Sequence, residues 1–286
     1  MIQGDGLTVI KGGGDLATGV AVRLHRAGLR LLMTEIAEPT VVRRTVAFAE
    51  AVFAGETTVE GIRGVLCTDL AEAARLLAEE AIPVLIDPEA AVVRAARPTV
   101  VIDGVMAKRN LGTSIDDAPV VIGLGPGFVA GQDVHAVVET QRGHYLGRAI
   151  YHGAAEPDTG VPGNIGGFTR ERVLRAPAAG RMERPLAIGA RVEAGDTVGW
   201  VAGAPIRAEI AGTLRGLVRE GLAVDAGMKV GDVDPRAEQA HCFSVSDKSL
   251  AIGGGALEAV LYLVRQRCPA QLYNLFRPVR ASGAEG

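Results

Sequence analysis

The sequence predicts an α/β chain with two folding units and a C-terminal helical segment, on three observations. A strand, glycine turn, helix and strand open the chain, short apolar runs recur to about residue 125, and one stretch is repeated internally. At about 150 residues per domain, a length of 286 fits two units. Apolar residues make up 48% and charged residues 22%, a globular balance that excludes a mostly disordered chain. Glycine is over-represented at 38 residues without a Gly-X-Y period, which points to tight turns or ligand loops. The formal charge of −3 and the lack of a basic stripe argue against nucleic acid as a main partner.

The opening run, residues 7–10, has the continuous apolar character of a strand buried on both faces. Leu16, Val20, Leu24 and Ala27 then recur at helical spacing, and Gly28 stands where a left-handed residue would stop that helix. A second apolar run covers 31–36, completing a βαβ unit. Residues 69–80 read as an amphipathic helix with Leu70, Ala73, Ala74 and Leu77 on one face. Strands are expected at 83–87, 99–103 and 119–123, with weaker strand signals at 134–140 and 145–151. Residues 153–167 hold five glycines and two prolines, a linker or a ligand loop.

Residues 176–201 recur as 208–233 at a constant offset of 32, with ten identities in 26 positions, Gly180/Gly212, Gly195/Gly227 and Val201/Val233 among them. Two copies are too few for a solenoid and read as interlocking halves of one small β-sandwich. The duplication resembles the biotinyl/lipoyl-carrier (barrel-sandwich hybrid) fold. Where carriers hold their modified lysine, this chain reads Ala202-Gly203-Ala204-Pro205-Ile206-Arg207, so the resemblance implies no covalent biotin or lipoate and a docking or packing role. In the tail, 246–266 is helical in pattern. Three glycines at 253–255 would cost roughly 2–3 kcal/mol inside a helix, so the expected helix starts after them, with the glycines as an anion-site candidate at its head.

Gly12-x-Gly14-x-x-Ala17, with Gly13 between, matches a dinucleotide-binding turn in the required context of preceding strand and following helix. Glu35, at the end of the next strand, is placed to bind ribose hydroxyls. A turn that only packs the βαβ unit is the competing explanation. Asp15 sits at the helix start, where its carboxylate can cap amides but would repel a pyrophosphate. Either it turns outward, a divalent cation mediates, or the ligand is not a dinucleotide. Gly123, Gly125 and Gly127 form a second glycine loop, broken from the pattern by Phe128. Asp103, Lys108, Arg109 and Asn110 follow a strand end, and Lys108 and Arg109 are either a phosphate clamp or a solvated pair, as are Arg43 and Arg44. His135, His144 and His152, near Asp133 and Glu139, match no metal-ligand spacing, so no metal is assigned. Cys242 beside His241 is a thiol nucleophile or a small buried hydrophobe. Three scattered cysteines fit a reducing, cytoplasmic setting, the opening residues carry no leader pattern, and no stretch suits a membrane span.

Segments 11–19, 39–48, 108–110, 122–128, 133–139, 159–163 and 231–236 together resemble the YqeB-type accessory proteins of the selenium-dependent molybdenum hydroxylase system, over essentially the whole chain. That resemblance implies a maturation helper for a client molybdenum hydroxylase, acting on its pterin cofactor or labile selenium, and hands over no catalytic residue. The resulting expectation is a Rossmann-like ligand-binding domain over 1–168, a duplicated β-sandwich over 169–236, and a C-terminal helical segment over 237–286 packing back on the first domain. The ligand at the glycine turn would be NAD(P), another nucleotide or a molybdopterin-type cofactor, completed by Glu35, Lys108 and Arg109. An NAD-dependent oxidoreductase and a non-enzymatic interaction scaffold are the alternatives, and the oligomeric state, a homo-oligomer included, stays open.

Overall fold

The apolar runs at the start of the chain become the middle of a large sheet. In the computed structural model, which describes residues 6–276, β1 (Leu7–Lys11) leads through residues 12–14 into α1 (Asp15–Arg26) and back into β2 (Arg30–Glu35). Gly28, at φ +92°, makes the reversal between α1 and β2. Next come α2 (Ala51–Ala54) and a hairpin of β3 (Glu56–Val59) and β4 (Ile62–Cys67). Then follow α3 (Leu70–Ala78), β5 (Ile82–Ile86), α4 (Val92–Ala96), β6 (Val100–Asp103) and β7 (Val120–Leu124). Asp69 caps α3 by accepting the Ala71 and Glu72 amides. Four short strands complete this part: β8 (Val129–Ala130), β9 (Ala136–Val138), β10 (Ala149–Ile150) and β11 (Gly153–Ala154).

Among the described residues, nine of these strands form one sheet in the order β10-β9-β7-β6-β1-β2-β5-β4-β3. Neighbours from β9 to β4 run parallel, while β10 and β3 close the two edges antiparallel. The central register aligns Lys11 with Thr34 and with Asp103, so the carboxyl ends of β1, β2 and β6 finish level and open on the same side.

The repeated stretch and its flanks supply β12 (Val173–Arg175), β13 (Gly180–Glu183), β14 (Arg191–Val192), β15 (Thr197–Val201), β16 (Ala204–Arg207), β17 (Gly212–Leu217), β18 (Ala223–Val224) and β19 (Lys229–Asp234), with β12 ahead of the first copy and β16 between the two. They make two four-stranded antiparallel sheets, β12-β19-β17-β14 and β16-β15-β13-β18. Each sheet takes two long strands from one copy of the repeat and the short middle strand of the other. Val198, Val201, Leu214, Leu217, Val230 and Val233 fill the space between them. The pair sits on residues 42–53: Val42 and Phe53 join its core, and a Cβ at Gly216 would lie 2.8 Å from the Val42 carbonyl oxygen.

This architecture corrects the expectation of a Rossmann-like domain followed by a small carrier-like sandwich. The large sheet is mixed, because the hairpin at 56–67 and the return strand β10 add antiparallel edges that the βαβ pattern does not contain. The last helix, α5 (Asp247–Arg267), lies in the same layer as α1 and packs Ile252, Ala256, Val260 and Leu263 into the main core.

The helix also includes Gly253, Gly254 and Gly255, which sequence reasoning placed ahead of it. Two of them are points of closest approach. A Cβ at Gly253 would lie 2.7 Å from the Gly19 carbonyl oxygen of α1, and one at Gly255 would collide with the Gly147 carbonyl. Contact with a second backbone offsets the helix penalty, so the helix runs through. Gly254 is exposed and has nothing within 4 Å of a Cβ. Gly254→Ala is therefore expected to stabilise the protein by about 1 kcal/mol, while Gly253→Ala destabilises it. Urea unfolding of the two variants beside the parent measures both signs.

Candidate functional site

The level carboxyl ends of β1, β2 and β6, the repeated β-segment and the start of α5 border one cleft of about 1310 Å³. Ligands of open α/β sheets bind outside strand carboxyl ends. The glycine turn forms part of the wall. Gly12 takes φ +88° and donates its amide to the Thr34 carbonyl at 2.8 Å. Gly13 donates to Glu35 Oε2 at 2.8 Å, and a Cβ there would press on the Ala49 backbone at 2.9 Å. Gly14 is the open position: its nearest neighbour to a Cβ is Val41 Cγ2 at 3.9 Å.

Glu35 accepts from both Gly13 and Ile36 amides at 2.8 Å, and burial raises its pKa. The acid at this strand end thus occupies one of the turn's own donors. The first turn of α1 has no side-chain cap, and its first helical bond runs from the Thr18 amide to the Gly14 carbonyl at 2.8 Å. The amides ahead of that bond are free of helical partners.

Asp15 is turned away from those amides. Its Oδ2 pairs with Arg43 Nη1 at 2.9 Å and its Oδ1 accepts from Ser249 Oγ at 2.9 Å. Arg43 is 6% exposed and also donates to the carbonyls of His241 at 3.0 Å and Ser244 at 3.1 Å. Arg44 is spent on the Leu217 carbonyl and Glu50.

The strongest charge feature of the cleft is one that sequence reasoning missed. Arg172, Arg215, Lys229 and Lys248 line it together with Arg43. Arg172 and Arg215 are each 6% exposed. Arg172 pairs with Asp232 at 3.2 Å, and Arg215 reaches only Asp234, at 3.8 Å. The Nε atoms of Arg43, Arg172 and Arg215 are buried without a hydrogen-bond partner. Lys248, half-buried, and Lys229, whose side chain is exposed, both have lowered pKa values, from the crowding protein around them first and then from neighbouring cations. Their signal in the sequence was slight: Arg215 is a charge inside a strand, Gly212–Leu217, whose every residue is buried.

Other expected site residues separate. Lys108 borders the cleft but is exposed and paired with Asp158 at 2.7 Å. Arg109 is exposed and outside the lining. Ala17 is buried beneath the turn, where a Cβ on Gly104 would come within 2.9 Å of its methyl. Gly123, Gly125 and Gly127 serve close packing, against the Phe128 ring, the Thr140 side chain and the Lys108–Arg109 backbone respectively. Asp103 closes the cleft floor: Thr113 Oγ1 donates to its Oδ2 at 2.5 Å, and Lys11 stands 3.5 Å away. Asn110 shapes that loop by accepting the Gly112 and Thr113 amides.

Asp133 and Glu139 each accept main-chain amides, His144 and His152 are exposed, and among the described residues no group of three His, Cys, Asp or Glu side chains is set to hold a metal. Cys242 is fully buried, with Sγ 3.8 Å from the Leu214 carbonyl oxygen, and burial pushes its thiol pKa up. That is the environment of a small hydrophobe.

The comparisons with known proteins come from sequence and structure. No family model matches the chain. It is 53% identical over 264 residues to the uncharacterized protein YqeB of Escherichia coli K12, across 92% of this chain. It spans about half of that relative, 49% of its length. Among solved structures, an aspartoacylase family protein from Mesorhizobium loti aligns at 15% identity over 80% of this chain and 84% of that one, with a TM-score of 0.25. A succinylglutamate desuccinylase/aspartoacylase from Rhodobacter sphaeroides aligns at 13% identity over 80% and 85%, also with a TM-score of 0.25. Likeness at that level carries no argument about fold or activity. Among the described residues no helix is long and apolar enough to cross a membrane.

His135 gives the structure an acid limit. Its Nδ1 accepts the Val121 amide at 2.9 Å, and burial, aided by Arg267, depresses its pKa to about 4. The unfolded chain therefore binds a proton, near pH 6.5, that the folded protein refuses. Stability is full above that pH and falls as pH drops toward 4, by on the order of 3 kcal/mol. Urea unfolding at pH 7.5, 5.5 and 4 should show this slope, and His135→Asn should flatten it.

Proposed function

We propose that the chain binds a phosphate-bearing small molecule, a nucleotide or a molybdopterin-type cofactor, in this cleft, and does so as an accessory factor in maturation of a molybdenum hydroxylase. One observation carries the binding part: uncapped amides of α1 and partly unmatched cations from three distant segments face the same cleft. An anion accepts hydrogen bonds from helix-start amides and arginine forks alike. The residues also fit a phosphate by elimination of their own partners, since Asp15 is held sideways by Arg43 and Ser249.

The maturation part rests on the resemblance to the YqeB-type accessory proteins alone, since the E. coli relative that shares 53% identity is itself uncharacterized. A client molybdenum hydroxylase and the handling of its cofactor are proposals of the same standing. No residue of the cleft is given a catalytic role. What the chain's residues do is bind and orient: the cations neutralise the phosphate, and the exposed apolar faces of the lining, Ile36 and Val105 among them, cover the rest of the ligand.

The test is a thermal-shift panel of NAD, NADP, magnesium-ATP, magnesium-CTP and a molybdopterin source on the parent protein, Gly14→Val and Arg215→Met. A ligand at a hundred times its Kd adds about 3 kcal/mol to stability and so raises the melting temperature by several degrees. The parent is expected to respond to at least one of these compounds, and both variants to lose the response. Because the space at Gly14 admits a side chain, a Gly14→Val protein that folds and still responds like the parent would overturn the reading, as would a parent that responds to none.

A further inference from the structure

The cation end of the cleft holds more positive charge than its carboxylates neutralise. Arg43 is matched by Asp15 at 2.9 Å, Arg142 by Asp247 at 2.8 Å and Arg172 by Asp232 at 3.2 Å. Asp234 is taken by Arg236 at 2.6 Å and stands 3.8 Å from Arg215. Lys229 and Lys248 make no ion pair among the described residues, although Lys229 senses the carboxylate of Asp232 and then that of Asp15, and Lys248 senses Asp15. Three cleft-lining cations, Arg215, Lys229 and Lys248, are thus left without a carboxylate of their own.

Of the three, Arg215 is buried, Lys248 half-buried and Lys229 exposed. A buried charge without a close partner is costly, and for Arg215 above all that cost is removed when an anion enters. A phosphate monoester carries about two negative charges near pH 7, too few for this excess. Two linked phosphoryl groups carry more charge and twice the acceptor oxygens. They also suit the layout, because the donors lie on separate elements. Arg215 is on β17, Lys229 opens β19, Lys248 is in the first turn of α5, and the uncapped amides are at the start of α1. The cleft lining also includes Ile36, Val105 and Leu111, each more than two-fifths exposed, Ile36 and Val105 close beside the glycine turn. Those apolar faces suit a ring system rather than more charge.

We propose that this end of the cleft is a diphosphate site, so that the ligand class is a nucleoside diphosphate or a cofactor joined through a pyrophosphate rather than a monophosphate ester. The proposal rests on the phosphate-binding reading above and narrows it.

Calorimetric titration in magnesium-free buffer at pH 7.5 tests it with four probes: inorganic phosphate, inorganic pyrophosphate, AMP and ADP. Pyrophosphate is expected to bind at least tenfold more tightly than phosphate, and ADP at least tenfold more tightly than AMP. Lys248→Met and Lys229→Met, each checked for an unchanged circular-dichroism spectrum, should each shrink both ratios by several-fold. If phosphate matches pyrophosphate and AMP matches ADP, the diphosphate site is refuted while the phosphate-binding reading stands. If the two ratios hold but neither lysine variant changes them, the diphosphate binds elsewhere and the proposal fails. If none of the four probes binds the folded parent protein, both readings fall.

Discussion

Arg43 joins the parts of this molecule through a single carboxylate. Its guanidinium holds Asp15 from the start of α1 and the carbonyls of His241 and Ser244 ahead of α5, while Asp15 in turn takes the hydroxyl of Ser249. Helix α1, the segment after β2 and the entry to α5 are thereby fixed to one another. Arg43 is 6% exposed, so removing Asp15 would strand a buried charge, which costs about 3–5 kcal/mol. The same bond decides what the cleft can do. A carboxylate pointing along α1 would cap the helix; pulled sideways, it leaves the amides without a side-chain cap.

The cleft therefore owes its character to a junction rather than to a motif. The end of the central sheet contributes shape, through the level finish of β1, β2 and β6 and the space over Gly14. The repeated β-segment contributes charge, through Arg215 and Lys229 on adjacent strands of one sheet. That segment is held against the first part by Gly216 lying on Val42, by Arg44 on the Leu217 carbonyl and by Arg219 on Glu50. The repeated β-segment thus forms one wall of the cleft.

What the sequence made legible was local. Periodicity gave the first strand, helix and strand, and Asp69 announced the cap of α3, because both signals lie within a few residues of what they determine. The repeat at an offset of 32 marked 176–233 as one duplicated stretch of short strands; within it β13 pairs with β18 and β14 with β17, across the two copies. The glycines at 253–255 misled because their partners, Gly19 and Gly147, are more than a hundred residues away, and helix propensity does not include a second backbone. The mixed edges of the large sheet were hidden in a hairpin and a two-residue strand. At the site, Gly14, Asp15 and Glu35 were found by spacing. Arg172, Arg215, Lys229 and Lys248 were not, because each looks like an ordinary surface charge until the fold gathers them.

The central claim is that one anion bridges the helix-start amides and the gathered cations. A crystal structure determined with pyrophosphate tests this most directly. The account predicts phosphoryl oxygens within hydrogen-bond distance of the Gly14–Leu16 amides and of at least two among Arg215, Lys229 and Lys248. Pyrophosphate seated elsewhere, or a cleft in which those cations keep only their own carboxylates at saturating concentration, would contradict it.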